Sequence, residues 1–87
     1  MRPDPTATVD SRVVYIISQL VPVTPDKIRS EHRLREDLGM DSVGSMELLS
    51  MLAEELDLDV GVEDITDVHT VGATVALAKR FLAKKAG

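Results

Sequence analysis

Cysteine and tryptophan are absent from this chain of 87 residues, and tyrosine and phenylalanine occur once each. With no disulfide and no Cys-rich metal site to staple it, the fold must rest on the packing of a few amphipathic elements. With almost no aromatics, the core must be built from Val, Leu, Ile, Ala and Met, so it is thin and its stability modest. The length allows one small domain and excludes most enzyme architectures. No stretch approaches the roughly 18 consecutive apolar residues of a membrane span. The opening Met1-Arg2-Pro3-Asp4-Pro5 carries two prolines and an acid where a signal peptide would begin its apolar run. A soluble cytoplasmic protein, monomeric, is expected, and a chain without thiols suits a reducing compartment.

Basic residues are missing too, over one long interval. From Glu36 to Asp67 there are eleven acidic residues and no Lys or Arg. The rest of the chain holds four acids and all ten bases, so the formal charge of −5 conceals an acidic half and a basic remainder. An acidic block disfavours nucleic acid as a partner, because phosphates attract the opposite sign. A protein with a basic patch is its natural complement.

What is present is helical patterning. Residues 1–7 read as a flexible N-terminal segment, 8–84 as a single domain and 85–87 as a C-terminal tail. Val9, Val13, Ile16, Ile17 and Leu20 fall on one stripe of a first helix, with Thr6 or Thr8 placed to cap it. The β-forming run Val13 to Ile17 taken alone also suits a strand, but the longer 3.6-residue period favours helix. Pro22 and Pro25 end that helix. A long connection without sustained period follows, tacked down by Val23, Ile28, Leu34 and Leu38; connections of this length are often functional.

A second helix is predicted from Asp41 or Ser42, either of which can cap it, to about Leu56. Leu48, Leu49, Leu52 and Leu56 form its core face. The opposite face holds Val43, Met46, Glu47, Ser50, Met51 and Glu54, and apolar residues ringed by acids are typical of a protein-contact surface. Methionine there suits partners of different shape. Glu63 to Asp67 allows one short helical turn anchored by Ile65. Thr70 caps a last helix with Val71, Val75, Ala78, Phe81 and Leu82 inward and Lys79, Arg80, Lys84 and Lys85 near its C-terminal end. The fold class is all-α, a bundle of four helices with a long first loop and a short third helix.

The loop leads into Asp37-Leu38-Gly39-Met40-Asp41-Ser42-Val43. This motif, followed by an acidic amphipathic helix, resembles the prosthetic-group attachment site of acyl carrier proteins. The similarity spans roughly Val9 to Leu82, with every element in order. The resemblance implies that Ser42 receives 4′-phosphopantetheine from coenzyme A through a separate phosphopantetheinyl transferase, and that the protein is a carrier and not an enzyme. It implies that Asp41 helps to dock the transferase or to orient its metal, and that Val43, Met46, Glu47, Met51 and Glu54 meet basic docking patches on fatty-acid-type or related acyl-processing enzymes. Leu48, Leu49, Leu52 and Leu56 would line the interior that shelters an acyl chain. Gly39 would permit the tight turn before the serine. Gly44 and Ala53 stand where fatty-acid carriers usually have acidic or polar residues, which bears on the choice of partners.

Other readings compete. Ser42 alone is a common helix cap. The pathway is open between fatty-acid, polyketide, other specialised acyl and aminoacyl carriers, and in another class the chain is an acidic interaction module without cargo. A calcium loop at Asp57-Leu58-Asp59 fails on spacing, with Gly61 at the fifth position and Val68 at the twelfth. A hydrolase using Ser42 lacks an evident base, and His32 and His69 read as loop or surface residues.

Overall fold

In a computed structural model, which describes residues 8–86, the chain forms four α-helices and no strand among those residues. They are α1 (Val9–Ser18), α2 (Ser42–Glu55), α3 (Val62–Ile65) and α4 (Val71–Ala86), with a 3₁₀ turn at Pro25–Lys27 inside the long first connection. The flexible segment expected at 1–7 lies outside the described residues.

Helix α1 starts where a hydroxyl satisfies a free amide: Thr8 Oγ1 accepts from the Ser11 N–H at 3.2 Å, so Thr8 is the cap. Val13, Ile16 and Ile17 are buried as the stripe required. Leu20 lies beyond the end of the helix and is half-buried, because the chain leaves helical geometry before Pro22. From α2, Leu48, Leu52 and Leu56 complete the centre of the core, while Leu49 packs at its edge. Burying a leucine of this kind contributes about 1.5–3 kcal/mol.

Helix α4 begins at Thr70, whose Oγ1 accepts from the Ala73 N–H at 3.0 Å. Its inward face is wider than the expected stripe. Thr74 and Leu77 are buried beside Val71, Val75 and Ala78, and the Thr74 hydroxyl donates to the Thr70 carbonyl at 2.9 Å, which lets a polar residue sit in the core. Phe81 and Leu82 are only half-buried, and the Phe81 ring is flanked by Arg80 and Lys84 at 5.5 and 5.4 Å. The helix also continues through Lys85 and Ala86, expected as part of a tail. Lys85 reaches back to the end of α2, donating to the Asp57 carbonyl at 3.1 Å and pairing with the Asp57 carboxylate.

The long connection is ordered by its own hydrogen bonds and by the start of α4. Leu34 N–H donates to the His69 carbonyl at 2.8 Å, Val71 N–H to His32 at 3.0 Å and Gly72 N–H to Ser30 at 2.9 Å. Ile28, Leu34, Leu38 and Met40 turn inward and are buried. Within residues 33–40 the Asp37 carboxylate accepts from the Arg33 backbone N–H at 2.7 Å and from its guanidinium at 3.2 and 3.3 Å. Those bonds hold the Asp37 carboxyl below the usual carboxylate range. Gly39, at φ +78°, reverses the chain so that Met40 drops into the core and Asp41 emerges at the head of α2.

Candidate functional site

Asp41, not Ser42, caps α2. Its Oδ1 accepts from the Gly44 N–H at 2.7 Å while its own backbone is still extended. The Ser45 hydroxyl adds a bond to the Asp41 carbonyl at 3.1 Å. Ser42 is thereby spared from capping. It occupies the first helical position, exposed at the surface, with its hydroxyl free of any capping bond. The reading of Ser42 as a mere cap is set aside by this division of labour.

One side chain does touch the Ser42 hydroxyl: Arg35 Nη2 donates to Ser42 Oγ at 3.0 Å. The contact spans seven residues of sequence and is made possible by the Gly39 reversal. A guanidinium stays protonated and cannot act as a general base, so the contact does not build a nucleophile–base pair. Both residues open onto a surface groove of about 420 Å³ between the loop, α2 and α3, whose walls include Leu34, Glu36, Met46, Val62, Ile65 and His69.

Among the residues expected at a contact face, Val43 is 65% and Met46 48% exposed, and Glu47 and Glu54 are also at the surface. Val62 of α3, 51% exposed, adds to the apolar part of this surface. Met51 departs from the expectation. It is half-buried and packs with Arg12, Tyr15 and Ile16 of α1, because at about 100° per residue it lies on the flank that faces α1, away from Met46. Gly44 likewise does not belong to the outer face. It is buried under Met40, and a Cβ there would stand 3.0 Å from Met40 Cγ and 3.2 Å from Asp41 Oδ1. Its lack of a side chain admits the Met40 anchor and the Asp41 cap at once.

Sequence reasoning missed Arg35, Val62 and His69. Only Arg35 carried a signal, as the last base before the acidic interval. The proximity of Val62 and His69 to Ser42 depends on how α3 and the start of α4 pack.

With this geometry in view, comparisons with known proteins converge. Residues 11–78 match the protein family described as phosphopantetheine attachment site. An acyl carrier protein of Saccharopolyspora erythraea is 32% identical over 75 residues, covering 86% of this chain and 79% of that protein. A solved structure of the acyl carrier protein from Enterococcus faecalis superposes with a TM-score of 0.71 at 29% identity, covering 84% of this chain and 92% of that one. The chain belongs to the phosphopantetheine-attachment family of acyl carrier proteins. Members are carriers that meet partner enzymes and are not enzymes themselves, and 4′-phosphopantetheine is the group they bear. No described helix is long and apolar enough to cross a membrane.

Proposed function

We propose that Ser42 is the attachment residue for 4′-phosphopantetheine and that this member of the family presents acyl groups to fatty-acid-type or related acyl-processing enzymes. The observation that carries the reading is the exposed Ser42 hydroxyl, relieved of capping by Asp41 at the head of a buried-faced helix. The donor set suits a phosphodiester. A first-turn position faces free amides and the positive end of the helix dipole, and Arg35 supplies a full positive charge.

In the attachment reaction Ser42 Oγ attacks a phosphorus of coenzyme A, the bond to the departing nucleotide breaks, and the serine proton passes to a base of the transferase. The attached group, when bound, supplies a terminal thiol that holds acyl groups as thioesters. The chain's own part is to hold Ser42 in place through the Asp41 cap and the Gly39 turn, and to offer a surface for docking. Asp41, Val43, Met46, Glu47 and Glu54 make up that surface. Met51 supports it from the α1 side. The buried face of Leu48, Leu52 and Leu56, with Leu49 at its margin, is the wall against which an acyl chain would shelter. The protein works as a monomer in the cytoplasm, meeting the transferase and acyl-processing enzymes through basic patches on them.

Incubation with coenzyme A and a promiscuous phosphopantetheinyl transferase, followed by intact mass, tests the reading. The wild type should gain one phosphopantetheine and Ser42→Ala none; a wild type that gains nothing, beside a control carrier that does, overturns it. Charge reversal at Glu47 or Glu54 should slow acyl transfer with partner enzymes and weaken its salt dependence, and unchanged rates would remove that surface from the proposal.

A further inference from the structure

Four ion pairs occur among the described residues, Arg33 with Glu36, Arg33 with Asp37, Lys79 with Asp10 and Lys85 with Asp57. Arg35 takes part in none of them, although it stands at the edge of an interval with eleven acids. Its neighbours in sequence explain part of this. Glu36 and Asp37 both turn to Arg33, which bonds Asp37 through backbone and side chain alike. The Asp41 carboxylate is committed to the Gly44 amide. The Arg35 guanidinium instead ends on a neutral hydroxyl, and it does so at the N-terminal end of α2, where the helix dipole is positive and a cation is disfavoured. A cation held at that end and paired with no carboxylate among the described residues is arranged for an anion that arrives later.

We propose that Arg35 is the positioning residue for the phosphate of the attached arm, exchanging its contact on Ser42 Oγ for the phosphodiester formed on that same oxygen. This rests on the assignment of Ser42 as the attachment residue. The phosphorus is bonded directly to the atom that Arg35 Nη2 now contacts at 3.0 Å, so the guanidinium needs little movement to reach an oxygen of the phosphate. A guanidinium also presents several N–H donors in a planar fork suited to phosphate. The consequence is a tethered first segment: the arm leaves the protein with its phosphate held over the groove that Arg35 and Ser42 share, and the negative charge added by loading is offset at its source. No other Lys or Arg lies in the sequence until Lys79, so the acidic half has no second side chain of its own for this task.

The test compares wild type, Arg35→Gln and Arg35→Lys, each loaded by the transferase and checked by intact mass. The phosphodiester ³¹P resonance of the loaded wild type should differ from that of Arg35→Gln at low salt and approach it as salt rises from about 0.1 M to about 1 M, where screening shortens to about 3 Å. Arg35→Lys should keep the salt dependence but not the full displacement. In the wild type alone, the Arg35 Nε–H signal should move and exchange more slowly with water after loading. A ³¹P position and salt response identical in wild type and Arg35→Gln overturns the proposal. So does an Arg35 Nε–H signal unchanged by loading, a measurement that decides the matter even if Arg35→Gln resists the transferase. If no arm is added to wild type, the assignment of Ser42 itself fails and this proposal with it; if all three load and the resonances agree, only the role of Arg35 is lost.

Discussion

The two ends of α2 receive cations from elsewhere in the chain and use them in opposite ways. At the C-terminal end, Arg12 of α1 donates to the Glu55 carbonyl at 2.7 Å, and Lys85 of α4 binds Asp57 through both its carbonyl and its carboxylate. The helix closes there in a left-handed turn, with Asp57 at φ 54° and the Leu58 N–H returning to the Ala53 carbonyl at 3.1 Å. The carbonyls of Leu52, Ala53 and Glu55, which have no helical partner further along, are thereby engaged. At the N-terminal end a carboxylate makes the cap, the arriving cation finds a hydroxyl, and the surface is left open beside a groove. One end is locked to the bundle and the other is presented. That asymmetry suits the proposed attachment at Ser42, which requires the serine to be reachable while the helix beneath it stays in register with the core.

The comparison can be broken most forcefully from the middle of the helix. Leu52→Ala removes a side chain with no exposed surface between the two ends and should lower unfolding stability by about 2–5 kcal/mol in denaturant titration, loosening both at once. Asp41→Ala, which deletes the cap alone, should cost about 1 kcal/mol and confine increased amide exchange to the first turn around Ser42. Arg12→Ala should cost less, about 0.5–1 kcal/mol, with faster exchange limited to the last turn, since its bond lies at the surface. Exchange spreading over the whole helix in either variant would show that the ends are coupled and not independent.

The smallest effect is a response to acid that the two ends share. Asp37 before the helix and Asp57 after it both titrate below the usual 3.8, each held down by hydrogen bonds from a cation, Arg33 and Lys85 respectively. A depressed pKa means that the unfolded chain binds protons first. The stabilisation is therefore present above about pH 3.8 and is lost as pH falls through the folded-state values. Asp37→Asn and Asp57→Asn should each flatten the decline of thermal stability below pH 3.8, and a wild-type slope in either variant would remove that carboxylate from the acid response.

Much of this architecture follows from local pattern. The stripes of α1 and α2, the Thr70 cap of α4, the Ile65 anchor and the turn at Gly39 were each readable because they depend on spacing within one element or on the conformational freedom of one residue. The family motif likewise marked Ser42 without any coordinates. What local pattern misplaced were residues at the margins of a helix face. Met51 lies where a rotation of a few tens of degrees decides between solvent and core, and the packing of α1 sets that rotation. The burial of Thr74 and Leu77 has the same origin, since only the width of the neighbouring surface determines how much of α4 is covered.

The sequence by itself determined a small all-α carrier with an acidic half and a serine proposed for attachment, because helix period, caps and a contiguous motif are written in residues close to one another in the chain. Only the tertiary structure decided which residue caps α2, which cation meets Ser42 and which side chains wall the groove beside it. The cap is a bond over three residues whose choice depends on how the loop enters the helix, and the contact of Arg35 spans seven; both are set by a loop that reverses at Gly39 and by bonds from residues 30–34 to the start of α4. No periodicity encodes them; they exist only once the buried side chains of Leu34, Leu38 and Met40 have drawn that loop against the bundle.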